Sequence, residues 1–449
     1  MPEKTQKNLP HICIIGAGAA GLSAGYFLKE KGYQQVTILE REARIGGKCL
    51  SLTYEGKSFD LGANYITSSY TQVKRLARKF GANMYTEGRL RAFNVKTNTN
   101  SSLLSAVLAE ASVWALAWQS LRFVWKRWRL NRVLSPRQPG FRGLAESHPE
   151  LTRPFGEWLS ANGLSAVAAL FQIPVSLMGY GQLTEIPAAY ALTYMRIGTF
   201  TDLMLAALNP HIKGYPKRFT EGYQRLFERI SWELDVLTGA DVRKVTRSEG
   251  KIRIEYAIQE ELLRPGHPAS QTLECDYLIV ATPLYLDVLQ SFLDLSGEEK
   301  ALFGQVAYDP FIVTTYHVPG MEAFTAATFM IPEPEIETPF VVTRQFADNN
   351  LVSFYTRTRF GQPVKKEDIL ANNAAFARRA VGVELGDYYT YSEFPYFPHV
   401  SSEAMAAGFY DRLEALQGKQ NTFFTGGLMQ FELVETIVNY SRHLVQSRF

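Results

Sequence analysis

Ile12-Cys13-Ile14-Ile15-Gly16-Ala17-Gly18-Ala19-Ala20-Gly21 is the stretch that decides the fold. Its apolar start predicts a buried β-strand, and residues 22–28, which follow the third glycine, predict a helix. Gly16 permits the tight turn, Gly18 lets the backbone approach a pyrophosphate at the helix N-terminus, and Gly21 lets helix and strand pack closely. The stretch therefore predicts a strand, turn and helix that bind a dinucleotide.

An acidic residue stands at the end of the next predicted strand. Residues 35–39 form a second apolar run, and Glu40 comes directly after it. A carboxylate at this point accepts hydrogen bonds from both hydroxyls of a ribose and would repel a 2′-phosphate. The two strands together therefore favour FAD or NAD over NADP.

Length, charge and composition limit the class of protein. A chain of 449 residues exceeds what one core usually holds, so two connected domains are expected. The net charge of +3 is too mild to indicate nucleic-acid binding. Three scattered cysteines and seven histidines show no spacing typical of metal ligands, and so few cysteines favour a reducing compartment. The first apolar run is already the predicted strand, so no cleaved signal peptide is expected and the cytoplasm is the expected location.

Two turns beyond the first glycines resemble a known family. The R-x-G-G-K turn at residues 44–48 and the D-x-G turn at residues 60–62 are similar to the segments that surround the flavin in the amine-oxidase-like flavoprotein superfamily. The resemblance implies an α/β fold, with a Rossmann-like FAD-binding domain of the GR2 or amine-oxidase type and an inserted α+β substrate domain. FAD would be bound without a covalent link, because no cysteine follows Cys275 and the S-G-G-C signature is missing. The residues implied to bind FAD are Gly16, Gly18, Ala19, Ala20, Gly21, Glu40, Arg41, Gly47, Lys48, Gly62, Ala63, Asn64, Val242, Gly426, Gly427, Leu433 and Val434.

The cofactor domain is expected to be discontinuous. Residues 422–427 predict a last strand and a glycine turn, and residues 432–446 predict a helix whose N-terminus faces the flavin. We therefore assign residues 1–89, 216–288 and 401–449 to the FAD-binding domain, and residues 90–215 and 289–400 to the substrate domain. The insertions contain no second G-x-G-x-x-G, so a separate NAD(P)H domain is not expected.

Shorter strings along the chain narrow the resemblance. Gly179-Tyr180-Gly181, residues 186–190, residues 396–402 and Asn439-Tyr440-Ser441 are similar, in the same order and at similar spacings, to the bacterial polyunsaturated fatty acid (linoleic acid) double-bond isomerases. The resemblance implies that flavin N5 takes a hydride from a carbon between two double bonds and returns it to another carbon, without net oxidation. The substrate would be a small apolar molecule such as a polyunsaturated fatty acid.

The same resemblance implies four substrate-binding residues. Arg91, with Arg89 as second choice, would hold the fatty carboxylate, and Met178 and Tyr180 would contact the chain above the flavin. Two residues depart from the family pattern: Met178 stands where an aromatic residue is usual, and Gly427 stands where an acid is usual. Substrate length and regiochemistry therefore stay open.

Other activities would use the same kind of site. A dehydrogenase or oxidase of a lipid or other apolar substrate is one alternative, an amine-oxidase-like oxidoreductase is another, and an FAD-bound protein without turnover is a third. Amine oxidases commonly place a lysine near flavin N5, and residues 306–313, where it is expected, contain none. This absence disfavours amine oxidation.

Residues 103–134 have an unusual composition. Between residues 111 and 145 there are seven basic residues and no acid, and Trp114, Trp118, Trp125 and Trp128 are interleaved with the basic residues. An aromatic and basic helix is typical of peripheral contact with an anionic membrane. A roof of ordinary helices over the substrate domain, with solvated arginines, explains the same pattern.

The glycine turn and Glu40 predict that the purified protein is yellow and releases free FAD when it is denatured. Gly18→Leu should abolish FAD binding, because the side chain would occupy the space of the pyrophosphate. Absorbance spectra and chromatography of the released flavin measure both effects. Colourless protein that cannot be reconstituted with FAD would contradict the assignment.

Overall fold

Two sheets organise the chain. The computed structural model describes residues 10–86, 90–208, 216–248, 250–259, 269–324, 326–331, 334–359, 362 and 364–449. The strands are β1 (Ile12–Ile15), β2 (Val36–Leu39), β3 (Ser51–Tyr54), β4 (Lys57–Asp60), β5 (Met84–Thr86), β6 (Arg91–Asn94), β7 (Thr99–Ser102), β8 (Lys217–Phe219), β9 (Asp235–Leu237), β10 (Ala240–Ser248), β11 (Lys251–Ile258), β12 (Ser270–Cys275), β13 (Tyr277–Val280), β14 (Ala307–His317), β15 (Ala326–Ile331), β16 (Pro339–Arg344), β17 (Leu351–Arg357), β18 (Tyr388–His399) and β19 (Thr422–Phe424). The helices are α1 (Ala19–Glu30), α2 (Gln72–Lys79), α3 (Leu103–Leu108), α4 (Val113–Arg129), α5 (Leu144–Ser147), α6 (Phe155–Ala161), α7 (Ala168–Gln172), α8 (Ala188–Tyr194), α9 (Ile197–Leu208), α10 (Tyr223–Ser231), α11 (Leu286–Gln290), α12 (Gly297–Phe303), α13 (Lys366–Val381), α14 (Ser402–Ala406), α15 (Phe409–Ala415) and α16 (Val434–Arg448).

The first sheet is parallel and contains the predicted strand, turn and helix. Its order is β19-β13-β1-β2-β9, and every neighbouring pair is parallel. The central strand β1 is buried along its whole length, as its apolar run predicts, and α1 packs against α10 and α16. The five strands of this sheet come from three separated parts of the chain, residues 12–39, 235–280 and 422–424. The expected α/β class with a Rossmann-like parallel sheet is confirmed.

Backbone contacts explain two of the three glycines. Gly16 has a φ of +106°, which L side chains rarely adopt, and a Cβ there would lie 2.9 Å from the carbonyl oxygen of Ala281. A Cβ on Gly21 would lie 1.9 Å from the carbonyl oxygen of Gly16. Both glycines are therefore required for the turn and for the close packing of α1 on β1.

The second sheet has seven strands in the order β18-β14-β17-β16-β15-β6-β7. All its pairs are antiparallel except β15 with β6. Phe93, Phe324, Phe354 and Phe376 form an aromatic cluster that packs α13 against this sheet. The division into a cofactor domain and a substrate domain at the boundaries given above stays a proposal.

Helices α3 to α9 form a layer whose core is aromatic. The ring centroid of Phe123 lies 4.7 Å from that of Phe171 and 4.6 Å from that of Phe200, which packs α4 onto α7 and α9. Among the helices of the described residues, none combines the length and the apolar composition needed to cross a bilayer.

Gly21→Ala should destabilise the fold by at least about 3 kcal/mol, the upper end of what overpacking costs, because the backbone oxygen of Gly16 cannot move away. Gly25→Ala on the same helix is the matched control, since its Cβ would meet the flexible ends of side chains, with Ile38 Cδ1 at 2.8 Å as the nearest, and no backbone atom. This control should change stability by about 1 kcal/mol or less, because alanine also favours the helix. Thermal and denaturant unfolding compare the two, and equal losses would contradict the packing role of Gly21.

Candidate cofactor and active site

A cavity of about 780 Å³ lies between the carboxyl edge of the parallel sheet and one face of the seven-stranded sheet. This volume is within the range of small-molecule and cofactor sites. Residues after β1, β2, β13 and β19 form one side, and residues of β14, β16, β17 and β18 form the other. The cavity therefore joins the predicted dinucleotide site to the predicted substrate domain.

Two glycines on the cavity surface are not explained by the packing of the protein. A Cβ on Gly18, whose φ is −79°, would have no neighbour closer than the Cα of Gly47 at 3.8 Å. A Cβ on Gly426 would have no neighbour within 4 Å, although the φ of +141° there favours glycine. Both side chains would instead project into cavity space. Bare backbone at these points fits the close approach of a phosphate-containing cofactor.

Glu40 leaves β2 at the same edge. Its Oε2 accepts a hydrogen bond from the Ala17 amide at 2.7 Å, and its Oε1 accepts one from the Glu42 amide at 2.8 Å. Burial raises the pKa of the Glu40 carboxyl above its ordinary value, and the two amide hydrogen bonds oppose that rise. Each oxygen keeps a lone pair for a further donor, so the carboxylate can also accept hydrogen bonds from ribose hydroxyls.

The structure brings most of the predicted cofactor residues to one surface. Gly21 is the exception, because it packs α1 on β1 and does not line the cavity. The predicted residues that line the cavity are Gly16, Gly18, Ala19, Ala20, Glu40, Arg41, Gly47, Lys48, Gly62, Ala63, Asn64, Val242, Gly426, Gly427, Leu433 and Val434.

The D-x-G turn after β4 has two separate tasks. Asp60 points into the core, where its Oδ1 accepts hydrogen bonds from Ser51 Oγ at 2.5 Å and from the Tyr223 amide at 2.8 Å. Burial raises the pKa of the Asp60 carboxyl, and the nearby Arg218 opposes that rise. A Cβ on Gly62 would lie 1.8 Å from the Lys48 carbonyl oxygen. These contacts hold the turn so that its outer residues face the cavity.

Glu432 is a site residue that the sequence did not reveal. Its carboxylate accepts hydrogen bonds from Lys48 Nζ and from the Phe397 amide, and its carbonyl oxygen accepts one from the Tyr180 hydroxyl at 3.1 Å. A Cβ on Gly427 would lie 2.9 Å from that of Glu432. The space next to Gly427, where the resembling family has an acid, is therefore filled by Glu432. The one signal in the sequence was an acid at the first residue of the predicted helix.

The last helix points its N-terminus at the cavity. It begins at Val434, two residues later than expected, and Leu433, Val434 and Ile437 line the cavity. A helix N-terminus carries partial positive charge and stabilises an anion placed against it. This end of α16 therefore suits an electron-accepting ring that becomes negative on reduction.

The wall opposite the dinucleotide edge is aromatic. Gly179 allows this packing, since a Cβ there would lie 2.7 Å from the Phe311 ring. Burial raises the pKa of Tyr180 and of Tyr396 well above the ordinary tyrosine value, so both hydroxyls stay protonated. The lining residues of this wall are Leu177, Met178, Tyr180, Tyr194, Tyr308, Phe311, Phe340, Val341, Thr343, Tyr355, Ser392, Glu393, Phe394, Pro395, Tyr396 and Pro398. Met178 and Tyr180 are the two predicted substrate residues among them.

The predicted carboxylate anchors are not part of this wall. Arg91 lies in β6, opposite Thr328 of β15 and Ser102 of β7, and does not line the cavity. Arg89 lies outside the described residues. Within the described part of the chain, the wall contains no lysine or arginine, and its single acid, Glu393, is exposed. No cluster of three or more His, Cys, Asp or Glu residues that could hold a metal occurs in that part either.

Comparisons with known proteins agree with this geometry. The family model "Flavin containing amine oxidoreductase" matches residues 19–306, well over half of the chain. The chain is 25% identical over 442 residues to the FAD-dependent oxidoreductase dpchF of Colletotrichum higginsianum, covering 93% of this chain and 88% of that protein. It is 24% identical over 439 residues to the beta-cyclopiazonate dehydrogenase of Aspergillus oryzae, covering 92% and 88%.

A solved structure shares the whole fold. The crystal structure of a CLA-producing fatty acid isomerase from P. acnes superposes with a TM-score of 0.83 at 24% identity and covers 99% of both chains. The predicted relationship to the amine-oxidase-like flavoproteins is confirmed, and FAD is the cofactor. The chain belongs to the flavin-containing amine oxidoreductase family and is an FAD-dependent enzyme.

Proposed function

We propose that this enzyme isomerises a double bond in an unsaturated, fatty-acid-like substrate. The observation that supports the proposal best is the aromatic and apolar wall that faces the dinucleotide edge across the cavity. The whole-chain similarity in fold to a fatty acid isomerase agrees with it. Bound FAD supplies hydride transfer through N5 of its flavin ring.

The protein's part in this reaction is to hold the cofactor and shield the substrate. Glu40 would bind the ribose, the bare backbone at Gly18 and Gly426 would accommodate phosphate and ribityl groups, and the N-terminus of α16 would face the flavin. The chain of the substrate would lie along Met178, Tyr180 and the rings of the wall. In the described residues this wall has no histidine, lysine, arginine or aspartate, so it supplies apolar contact and exclusion of water.

A second candidate is an FAD-dependent dehydrogenase or oxidase of an apolar substrate. The similarity along nearly the whole chain to a dehydrogenase and to another FAD-dependent oxidoreductase favours it. Such an enzyme would use the same cavity. It would differ from an isomerase only in passing the electrons from the flavin to an external acceptor. A measurement of net electron flow separates the two.

Anaerobic mixing of the holoenzyme with linoleic acid tests the proposal. We expect conjugated-diene absorbance to appear over many turnovers while the flavin absorbance returns to its oxidised value. Lasting loss of flavin absorbance without further product would support the dehydrogenase instead. No change in either signal with linoleic acid and longer polyunsaturated acids would contradict both readings of a fatty substrate.

Glu40→Ala should weaken FAD binding by about 1–3 kcal/mol, the usual scale for hydrogen bonds to a charged group. The dissociation constant is measured by titrating apoprotein with FAD. Glu233→Ala is a matched control, because Glu233 is exposed and lies outside the cavity lining. An unchanged dissociation constant in Glu40→Ala would show that the ribose is held by other residues.

Arg91→Ala tests the predicted carboxylate anchor. If Arg91 contacts the carboxylate of the substrate, kcat/KM for the free acid should fall roughly 10- to 100-fold in Arg91→Ala, while kcat/KM for the methyl ester stays nearly constant. Arg253→Ala, at an exposed position of β11, should change neither value. Equal effects on acid and ester, or no effect, would show that Arg91 is structural, in keeping with its place outside the cavity lining.

A further inference from the structure

Helix α4 exposes a continuous stripe of large apolar side chains. Trp114, Trp118, Leu121, Trp125 and Trp128 are 85%, 67%, 69%, 50% and 64% exposed. Their spacings of four, three, four and three residues place them on one face of an α-helix. A row of four exposed tryptophans is unusual for a surface that faces only water.

The opposite face of α4 is already packed. Leu116, Ser120 and Phe123 are buried, and Arg127 is buried with them. The guanidinium of Arg127 donates to the Leu192 carbonyl oxygen at 3.0 Å and to Asn131 Oδ1 at 2.9 Å. These contacts fix the rotation of the helix, so the tryptophan stripe is held outward and cannot turn into the core.

Basic residues flank the stripe. Arg122, Lys126 and Arg129 lie on one side of it, since helical geometry places them about 60–120° around the axis from Trp114. The Arg129 guanidinium lies 5.0 Å from the ring centroid of Trp125, and Lys126 Nζ lies 5.6 Å from it. Between residues 111 and 145 seven basic residues occur and no acid. The face is therefore both apolar and cationic.

We propose that α4 is a membrane-docking helix, which lies flat on an anionic lipid bilayer with its tryptophan stripe at the boundary between headgroups and acyl chains. Tryptophan is enriched at this depth of a membrane, and basic residues beside it attract anionic headgroups. A second copy of the chain is a poorer occupant, because a symmetric contact would bring together the basic residues that flank the stripe in each copy. Because the inner face of α4 is packed against the protein, the exposed tryptophan stripe is the face that would contact the lipid.

Helix α4 packs close to the segment that forms part of the cavity wall. Through Phe123 and Phe171 it packs on α7, and the chain then continues to Leu177 and Met178 in the cavity wall. Docking would therefore set the helical layer beside the apolar cavity against the lipid. The proposal does not depend on the reaction that the cavity performs.

Sedimentation of the FAD-loaded full chain with vesicles tests the docking. One vesicle is pure phosphatidylcholine, and the other contains about one third phosphatidylserine so that the surface is anionic. We expect binding to the anionic vesicles that weakens with salt, and weaker binding to the neutral ones. Trp118→Ser with Trp125→Ser should lower the partition coefficient at least about tenfold, because two apolar anchors are removed.

Two further variants sharpen the test. Lys126→Gln with Arg129→Gln should lower anionic-vesicle binding about 25-fold, since each basic residue near anionic lipid contributes about a factor of five. Trp232→Ser is the matched control, because Trp232 is 68% exposed and has Arg225 at 5.1 Å from its ring, yet lies far from α4 in sequence. It should leave binding within about twofold of wild type, because Trp232 is not part of the α4 stripe.

The results separate the possible occupants of this face. Circular dichroism and FAD content show whether the exposed substitutions leave the fold intact. Absence of vesicle binding, or binding that the tryptophan variant does not weaken, overturns the proposal. So does a wild-type dimer that the tryptophan variant converts to a monomer without any vesicle binding, since the stripe would then be an interface between copies.

Discussion

The carboxyl ends of four parallel strands meet at one edge, and the rest of the site depends on this constraint. Gly16 follows β1, Glu40 follows β2, Ala281 follows β13 and Gly426 follows β19. Parallel strands end on the same side of a sheet, so residues far apart in the chain are collected there without any direct attraction between them. The cofactor surface is thus a product of sheet topology, and the glycines supply the space that the topology requires.

Glu432, whose side chain is largely buried, links the two sides of the cavity. Glu432 contacts Lys48 from the glycine turn, the Phe397 amide from β18 and the Tyr180 hydroxyl from the helical layer. A buried carboxylate is tolerated only when it is paired and hydrogen-bonded, so its position is strongly specified. It therefore sets the aromatic wall at a definite distance from the cofactor edge.

The tryptophans of α4 show where a local pattern stops being informative. The sequence contained the aromatic and basic residues but was compatible with both a roof of core helices and an outward membrane face. Their helical spacing already indicated one face, yet spacing cannot tell whether that face packs inward. The exposure of the four tryptophans, with Phe123 and Arg127 buried on the other side of the helix, shows that this face does not pack inward. Whether a helix face points inward or outward therefore depends on the tertiary structure.

What the sequence by itself determined is the cofactor half of the site. Gly18 and Glu40 lie within one strand-turn-helix-strand unit, so their spacing along the chain was sufficient to predict that both reach the same edge of the sheet. The substrate half needed the folded chain. Phe311 and Tyr355 face the cavity only because β14 and β17 pair in one register, and Arg91, predicted from resemblance, lies in a strand that the cavity does not reach. Strand register and sheet order are long-range properties, and a one-residue shift would turn the opposite side chains inward, so only the tertiary structure decided which rings form the wall.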